Sequence, residues 1–170
     1  LCRKIETLAS GELRRLVGRQ TVDVLVGSPP CQGFSHVGLR SRSTLTKYVL
    51  TDDQRNYLFE YMVGAALELK PRLFLMENVP GMKSAKQGGM SFLEAAAAIL
   101  EKQGYFQTAI WRLNAAAFGV PQERLRFFLV AARGRTLPAF PEADYQATQQ
   151  EVPPDALPPV TLGEAIFDLP

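Results

Sequence analysis

The feature that most limits what this chain can fold into is an alternation of short apolar runs with longer stretches of helical spacing. Residues 22–27 read Val-Asp-Val-Leu-Val-Gly, a β-branched run closed by a glycine, and residues 72–77 read Arg-Leu-Phe-Leu-Met-Glu. Runs of this length predict buried strands. Between them, over residues 52–69, Leu58, Tyr61, Met62, Ala65, Ala66 and Leu69 recur at helical spacing, with Asp52 or Asp53 as N-cap and Pro71 as the stop. A second helix is predicted over residues 91–103, because Ser91-Phe-Leu-Glu94 is a capping box and Gly104 closes the alanine-rich run. Residues 105–113 and 125–132 predict two further strands. Strand, helix, strand, helix, strand implies an α/β domain with a largely parallel sheet, whose last two strands pair antiparallel through their short connection.

The flanks are less regular. Residues 6–17 predict a short amphipathic helix from Leu8, Leu13, Leu16 and Val17 set against Glu12, Arg14 and Arg15. Residues 28–50 lack helical period and predict a long loop, a length that inside a domain is usually functional or disordered. Residues 134–159 carry Pro138, Pro141, Pro153, Pro154, Pro158 and Pro159, which predict a linker or an extended segment packed on the body. Thr161-Leu-Gly-Glu164 is a further capping box, opening a short helix to about Leu169. The chain therefore divides into a body, 1–135, and a connecting segment, 136–170.

Charge follows the same division. All 19 lysines and arginines lie in residues 1–135 against 11 of the 17 acidic residues, so the body carries +8; residues 136–170 hold the other six acids and no base. A basic body suits a polyanion, although a solvated basic surface has the same composition. Two cysteines, Cys2 and Cys31, are too few for a disulfide scaffold and fit a reducing cytoplasm. With His36 they fall short of a four-ligand zinc site, so no metal is expected. No run of about 18 apolar residues is present to span a membrane.

Three motifs carry chemistry. Gly27-Ser-Pro-Pro-Cys-Gln-Gly-Phe-Ser35 follows the first predicted strand, where open α/β sheets place their ligands. Its two prolines stiffen the backbone ahead of Cys31, so the thiol is either a structural cysteine in a turn or a positioned nucleophile. Glu77-Asn-Val-Pro-Gly81 sets a carboxylate just past a buried strand; it reads as a strand-capping acid or as a group with a task. In Phe118-Gly-Val-Pro-Gln-Glu-Arg-Leu-Arg126, an extended backbone puts Gln122, Arg124 and Arg126 on one face. That arrangement is either a surface ion-pair ladder or an anion or base site. His36 reads as a surface or phosphate-facing residue, and Trp111 as core.

Together, in this order and spacing, these three motifs resemble the cytosine-C5 DNA methyltransferases. Arg55-Asn-Tyr-Leu-Phe59 and the stretch from Leu113-Asn114 to Gly119-Val-Pro-Gln122 add to the resemblance, which runs through residues 20–135; Thr161 to Leu169 resembles the family stretch that precedes the target-recognition region. The resemblance implies a DNA (cytosine-5-)-methyltransferase acting on double-stranded DNA with S-adenosylmethionine as methyl donor. It implies catalytic roles for Cys31, Glu77, Arg124 and Arg126: Cys31 attacks C6 of a flipped cytosine, Glu77 grips N3 and the exocyclic amine, and Arg126 holds the base carbonyl. Pro30 and Leu58 fall to the cofactor site. Gln32, Ser35, Arg40, Arg42, Asn78 and Gln122 fall to the substrate, with Ser43, Thr44 and Lys47 as further phosphate contacts on a loop that closes over the base. The tRNA-methylating branch shares these motifs, and a non-catalytic nucleic-acid-binding piece is the other reading.

The resemblance also marks what is missing. No Phe-x-Gly-x-Gly or Gly-x-Gly turn occurs, nor the acid expected to bind the donor ribose, nor a target-recognition region. The fold implied is a partial Rossmann-like methyltransferase sheet that lacks the first cofactor-binding strands. The chain opens on Leu1, and it is expected to be the middle of a longer enzyme, inactive alone. Without its family neighbour, strand 22–27 becomes an open apolar edge through which copies of the chain are expected to associate.

Overall fold

The computed structural model describes residues 4–30, 58–84, 86–87, 89–105, 107–134 and 136–168. A 3-10 turn at Ile5–Thr7 leads to α1 (Glu12–Val17), β1 (Val24–Gly27), α2 (Leu58–Leu69), β2 (Leu73–Asn78) and α3 (Pro80–Ser84). A small hairpin, β3 (Lys86–Gln87) and β4 (Met90–Ser91), precedes α4 (Phe92–Lys102). Then come β5 (Gln107–Asn114), a 3-10 turn (Ala115–Phe118), β6 (Leu125–Ala132) and α5 (Leu162–Ile166).

The helical stretch expected at 6–17 is split, because Gly11 adopts φ 78° and caps α1 from outside. The N-cap expected at Asp52 or Asp53 lies outside the described residues. Both capping boxes form: Ser91 and Thr161 each accept from the backbone N–H three residues on, while Glu94 and Glu164 reach back. The far end of α4 closes as the sequence predicts. Gly104, at φ 94°, donates to Glu101 O and Tyr105 N donates to Leu100 O, the paired bonds of a left-handed helix stop.

The main sheet has four described strands in the order β1-β2-β6-β5. β1 and β2 pair in parallel, with Val26 opposite Leu75 and Gly27 opposite Met76. β6 is antiparallel to both β2 and β5. The sheet is thus largely parallel as expected: β1, β2 and β5 run in one direction and β6 opposes them. Helices cross over between β1 and β2 and between β2 and β5, which keeps those strands in one direction, whereas β5 returns directly into β6 through a short turn, which dictates antiparallel pairing.

One face of the sheet carries the core. Phe74, Met76, Leu129 and Ala131 are buried against Phe59, Met62, Val63 and Ala66 of α2 and Leu93, Ala96, Ala97 and Leu100 of α4. Strand alternation puts Leu73, Leu75 and Glu77 on the opposite face. Tyr105, fully buried, bridges the ends of α2 and β2 by donating to Ala66 O (3.3 Å) and Pro71 O (3.2 Å). Burial pushes its phenol pKa up.

Residues 136–168 lie against the body. Asp144 N and Tyr145 N donate to Ala117 O, Ala143 is buried, and Tyr145 bridges to Leu157. Gly119 (φ 79°) lets Tyr145 approach; a β-carbon there would sit 3.1 Å from the phenol ring. Trp111 is half-buried and meets Phe140 of this segment edge to face, centroids 5.7 Å apart.

Candidate active site

β1 and β2 end side by side, and their carboxyl ends carry two of the three motifs. Since Gly27 faces Met76, the next residues along, Ser28 and Glu77, are neighbours on one face. Ser28 Oγ donates to Glu77 Oε2. From the other side, Arg126 Nε lies 2.8 Å from Glu77 Oε1, both side chains being mostly buried. Glu77 pairs directly with Phe128 across β2 and β6, so Arg126 is its diagonal neighbour, within reach of a long side chain. Arg126 Nη1 also donates to Leu125 O at 2.7 Å.

Asn78 points to the opposite face and is 2% exposed. Its Nδ2 donates to Pro29 O (3.2 Å), and its Oδ1 accepts from Val79 N (2.9 Å). Pro29 is buried and Pro30 exposed. The Asn-Val motif thus grips the chain two residues before Cys31. Cys31 itself, with Gln32, Ser35, His36, Arg40, Arg42, Ser43, Thr44 and Lys47, lies outside the described residues. Leu58, half-buried, opens the described part of α2.

The third motif is only partly in the sheet. β6 begins at Leu125, so Arg126 alone of Gln122, Arg124 and Arg126 is a strand residue. Gln122 lies in a tight turn, its N–H donating to Val120 O at 2.7 Å, and its side chain and that of Arg124 are exposed. The single extended face expected for all three is corrected: Gly119 and Pro121 bend the chain before the strand starts.

Two features escaped the sequence reading. One is Ser28, whose contact depends on the register of β1 against β2. The other is a knot behind Arg124. Asn114, 2% exposed, accepts at Oδ1 from Arg124 N (2.9 Å) and Ala116 N (3.2 Å), and its Nδ2 donates to Thr148 O (2.8 Å) and to Glu123. Glu123 also accepts from Thr148 N (3.1 Å) and Thr148 Oγ1 (2.9 Å). Thr148 N–H and then the Asn114 amide hold the Glu123 carboxyl below the usual carboxylate range. This knot fastens the Pro-rich segment to the arginine-bearing turn.

The arrangement offers a carboxylate fixed from two sides at the ends of two parallel strands, one of which runs into a cysteine. The chain is similar to known proteins over its length. The family described as C-5 cytosine-specific DNA methylase matches residues 5–170. The type II methyltransferase M.XorII of Xanthomonas oryzae pv. oryzae is 36% identical over 174 residues, covering 100% of this chain and 35% of that protein. The type II methyltransferase M1.HphI of Haemophilus parahaemolyticus is 34% identical over 166 residues, covering 94% of this chain and 41% of its own length. The chain thus spans between about a third and two fifths of these relatives. A solved E. coli prophage-encoded protein, described as a DNA modification methyltransferase, superposes with a TM-score of 0.62 at 22% identity, covering 100% of this chain and 42% of that one. At that identity the likeness speaks to fold, and it identifies the sheet as a Rossmann-like methyltransferase sheet. This chain belongs to the C-5 cytosine-specific DNA methylase family.

Proposed function

We propose that the protein containing this chain methylates C5 of cytosine in double-stranded DNA through a covalent adduct between Cys31 and C6 of a flipped base. The observation that carries this reading is the Glu77 carboxylate at the end of β2, held between Ser28 and Arg126 beside the end of β1, from which the Cys31 segment departs. Cytosine C5 is a poor nucleophile. Addition of the Cys31 thiolate to C6 breaks the C5–C6 double bond and moves its electron pair to C5 and into the ring. Glu77, in its protonated form, donates to ring N3 and accepts from the exocyclic amine, and passing its proton toward N3 offsets that build-up of charge. Arg126 holds the base carbonyl and keeps the carboxylate in place. After methylation at C5, loss of the C5 proton returns its electron pair to the ring and expels the thiolate.

S-adenosylmethionine is the methyl donor of this reading, presenting an electrophilic methyl carbon on a sulfonium. Of the residues assigned to it, Pro30 and Leu58 are apolar and offer a wall but no hydrogen-bond donor side chain for its amino-acid or ribose parts. Those polar contacts belong, in this reading, to parts of the protein that residues 1–170 do not include. Accordingly this chain by itself binds the donor weakly and transfers no methyl group. Gln32, Ser35, Arg40, Arg42 and Gln122 contact the DNA, whereas Asn78 acts through the backbone it grips at Pro29.

The test is adduct trapping with the complete protein. In 5-fluorocytosine DNA the C5 proton is replaced by a fluorine that cannot leave as a proton, so the adduct persists. A donor-dependent covalent complex with duplex DNA, lost in Cys31→Ser, is expected. Absence of any complex would favour a non-catalytic nucleic-acid-binding role, and methyl transfer confined to tRNA would move the protein to the RNA branch.

A further inference from the structure

We infer that Ser28 is a positioning residue that sets the orientation of the Glu77 carboxylate. A carboxylate's terminal torsion is broad and two-fold, so one partner leaves its plane poorly defined. Here each oxygen has its own donor from a different strand: Arg126 Nε on Oε1 from β6, and Ser28 Oγ on Oε2 from the end of β1. Two unlike donors on opposite sides stop the group from turning.

Ser28 is itself well placed for this. The paired strand β1 ends one residue before it, and Pro29 follows with a restricted φ and a carbonyl held by the buried Asn78 amide. The hydroxyl therefore belongs to the same short segment that carries Cys31 three residues on. Through it, the carboxylate is registered to the nucleophile's segment as well as to the arginine's strand. A base entering between them meets an acceptor whose direction is already set, so orientation is not lost at the moment of addition. Ser28 is exposed as a residue, so burial does not account for its place.

This inference rests on the reading of Glu77 as the group that grips the target base. In the complete protein, Ser28→Ala should lower kcat about tenfold, the loss expected of one hydrogen bond to a charged group. KM for duplex DNA should hold, since affinity comes mainly from phosphate contacts. Ser28→Thr, which keeps the hydroxyl at an exposed residue, should restore kcat, as a merely structural role would not require. Formation of the 5-fluorocytosine adduct should slow in Ser28→Ala in parallel with kcat. A wild-type protein that traps the adduct while Ser28→Ala matches it in kcat overturns this inference alone. A wild-type protein that traps none overturns the reading of Glu77 and this inference together.

Discussion

Glu77 and Arg126 sit on a diagonal of the β2–β6 ladder, with Nε 2.8 Å from Oε1, and each is the other's ion-pair partner on a mostly buried face. Neither is placed by its own strand alone. The antiparallel pairing of Glu77 with Phe128 brings Arg126 alongside.

Breaking that diagonal should damage chemistry more than binding. Arg126→Ala leaves Ser28 as the one partner of Glu77 among the described residues and removes the proposed grip on the base carbonyl. Methyl transfer by the complete protein should fall at least about 100-fold, the scale of losing a group that stabilises developing charge. Filter binding to duplex DNA should change far less. Equal losses in binding and turnover would show that Arg126 serves affinity instead.

Asn78 should matter to stability as well as activity. Asn78→Ala removes the donor to the buried Pro29 carbonyl and the acceptor for Val79 N–H. Leaving such groups unsatisfied costs about 1–3 kcal/mol. Urea unfolding should show a lower midpoint with little change in slope. An unchanged midpoint would mean that water or another group replaces the amide.

Acid sensitivity should trace partly to Glu94. Its pKa is lowered from 4.5 to about 2, first by the hydrogen bond from Lys83 and then by Ser91 of the capping box. A depressed folded-state value stabilises the fold above about pH 4.5, and that contribution is lost as pH falls through about 2. Thermal melts between pH 5 and 2 should therefore fall less steeply in Glu94→Gln than in the wild type. Parallel curves would remove Glu94 from the account.

Strand β1 should make this chain sticky. Among the described strands it pairs only with β2, and Val24 and Val26 are 51% and 62% exposed. Unpaired edges bearing exposed valines template pairing with other chains. Light scattering on residues 1–170 should show mass rising with concentration, and Val26→Lys should suppress the rise. A monomer at high concentration would refute an open, associating edge.

Much of the fold is legible in the residues themselves. Apolar runs of strand length and the alanine-rich stretch between Ser91 and Gly104 mark elements that form within a residue or two of where they are read, and Thr161 with Glu164 opens a helix that ends at Ile166, short of the expected Leu169. The exceptions have local causes: Gly11 interrupts the first helix, and the bend at Gly119 to Pro121 takes Gln122 out of the strand. Sheet direction was legible from the connections, helical ones between β1, β2 and β5 and a short one into β6, but periodicity does not report that β6 lies between β2 and β5.

The same division applies to the candidate site. Sequence alone determined its chemistry: a cysteine behind two prolines, a carboxylate at the end of one buried run and two arginines at the start of another, in an order that already resembles the family. Tertiary structure alone decided which groups meet. Ser28 and Arg126 each lie 49 residues from Glu77 along the chain, on either side of it. Only the order β1-β2-β6 and its register bring them to one carboxylate, and that order is set by burying Phe74, Met76 and Leu129 under two helices, a global requirement that no single motif encodes.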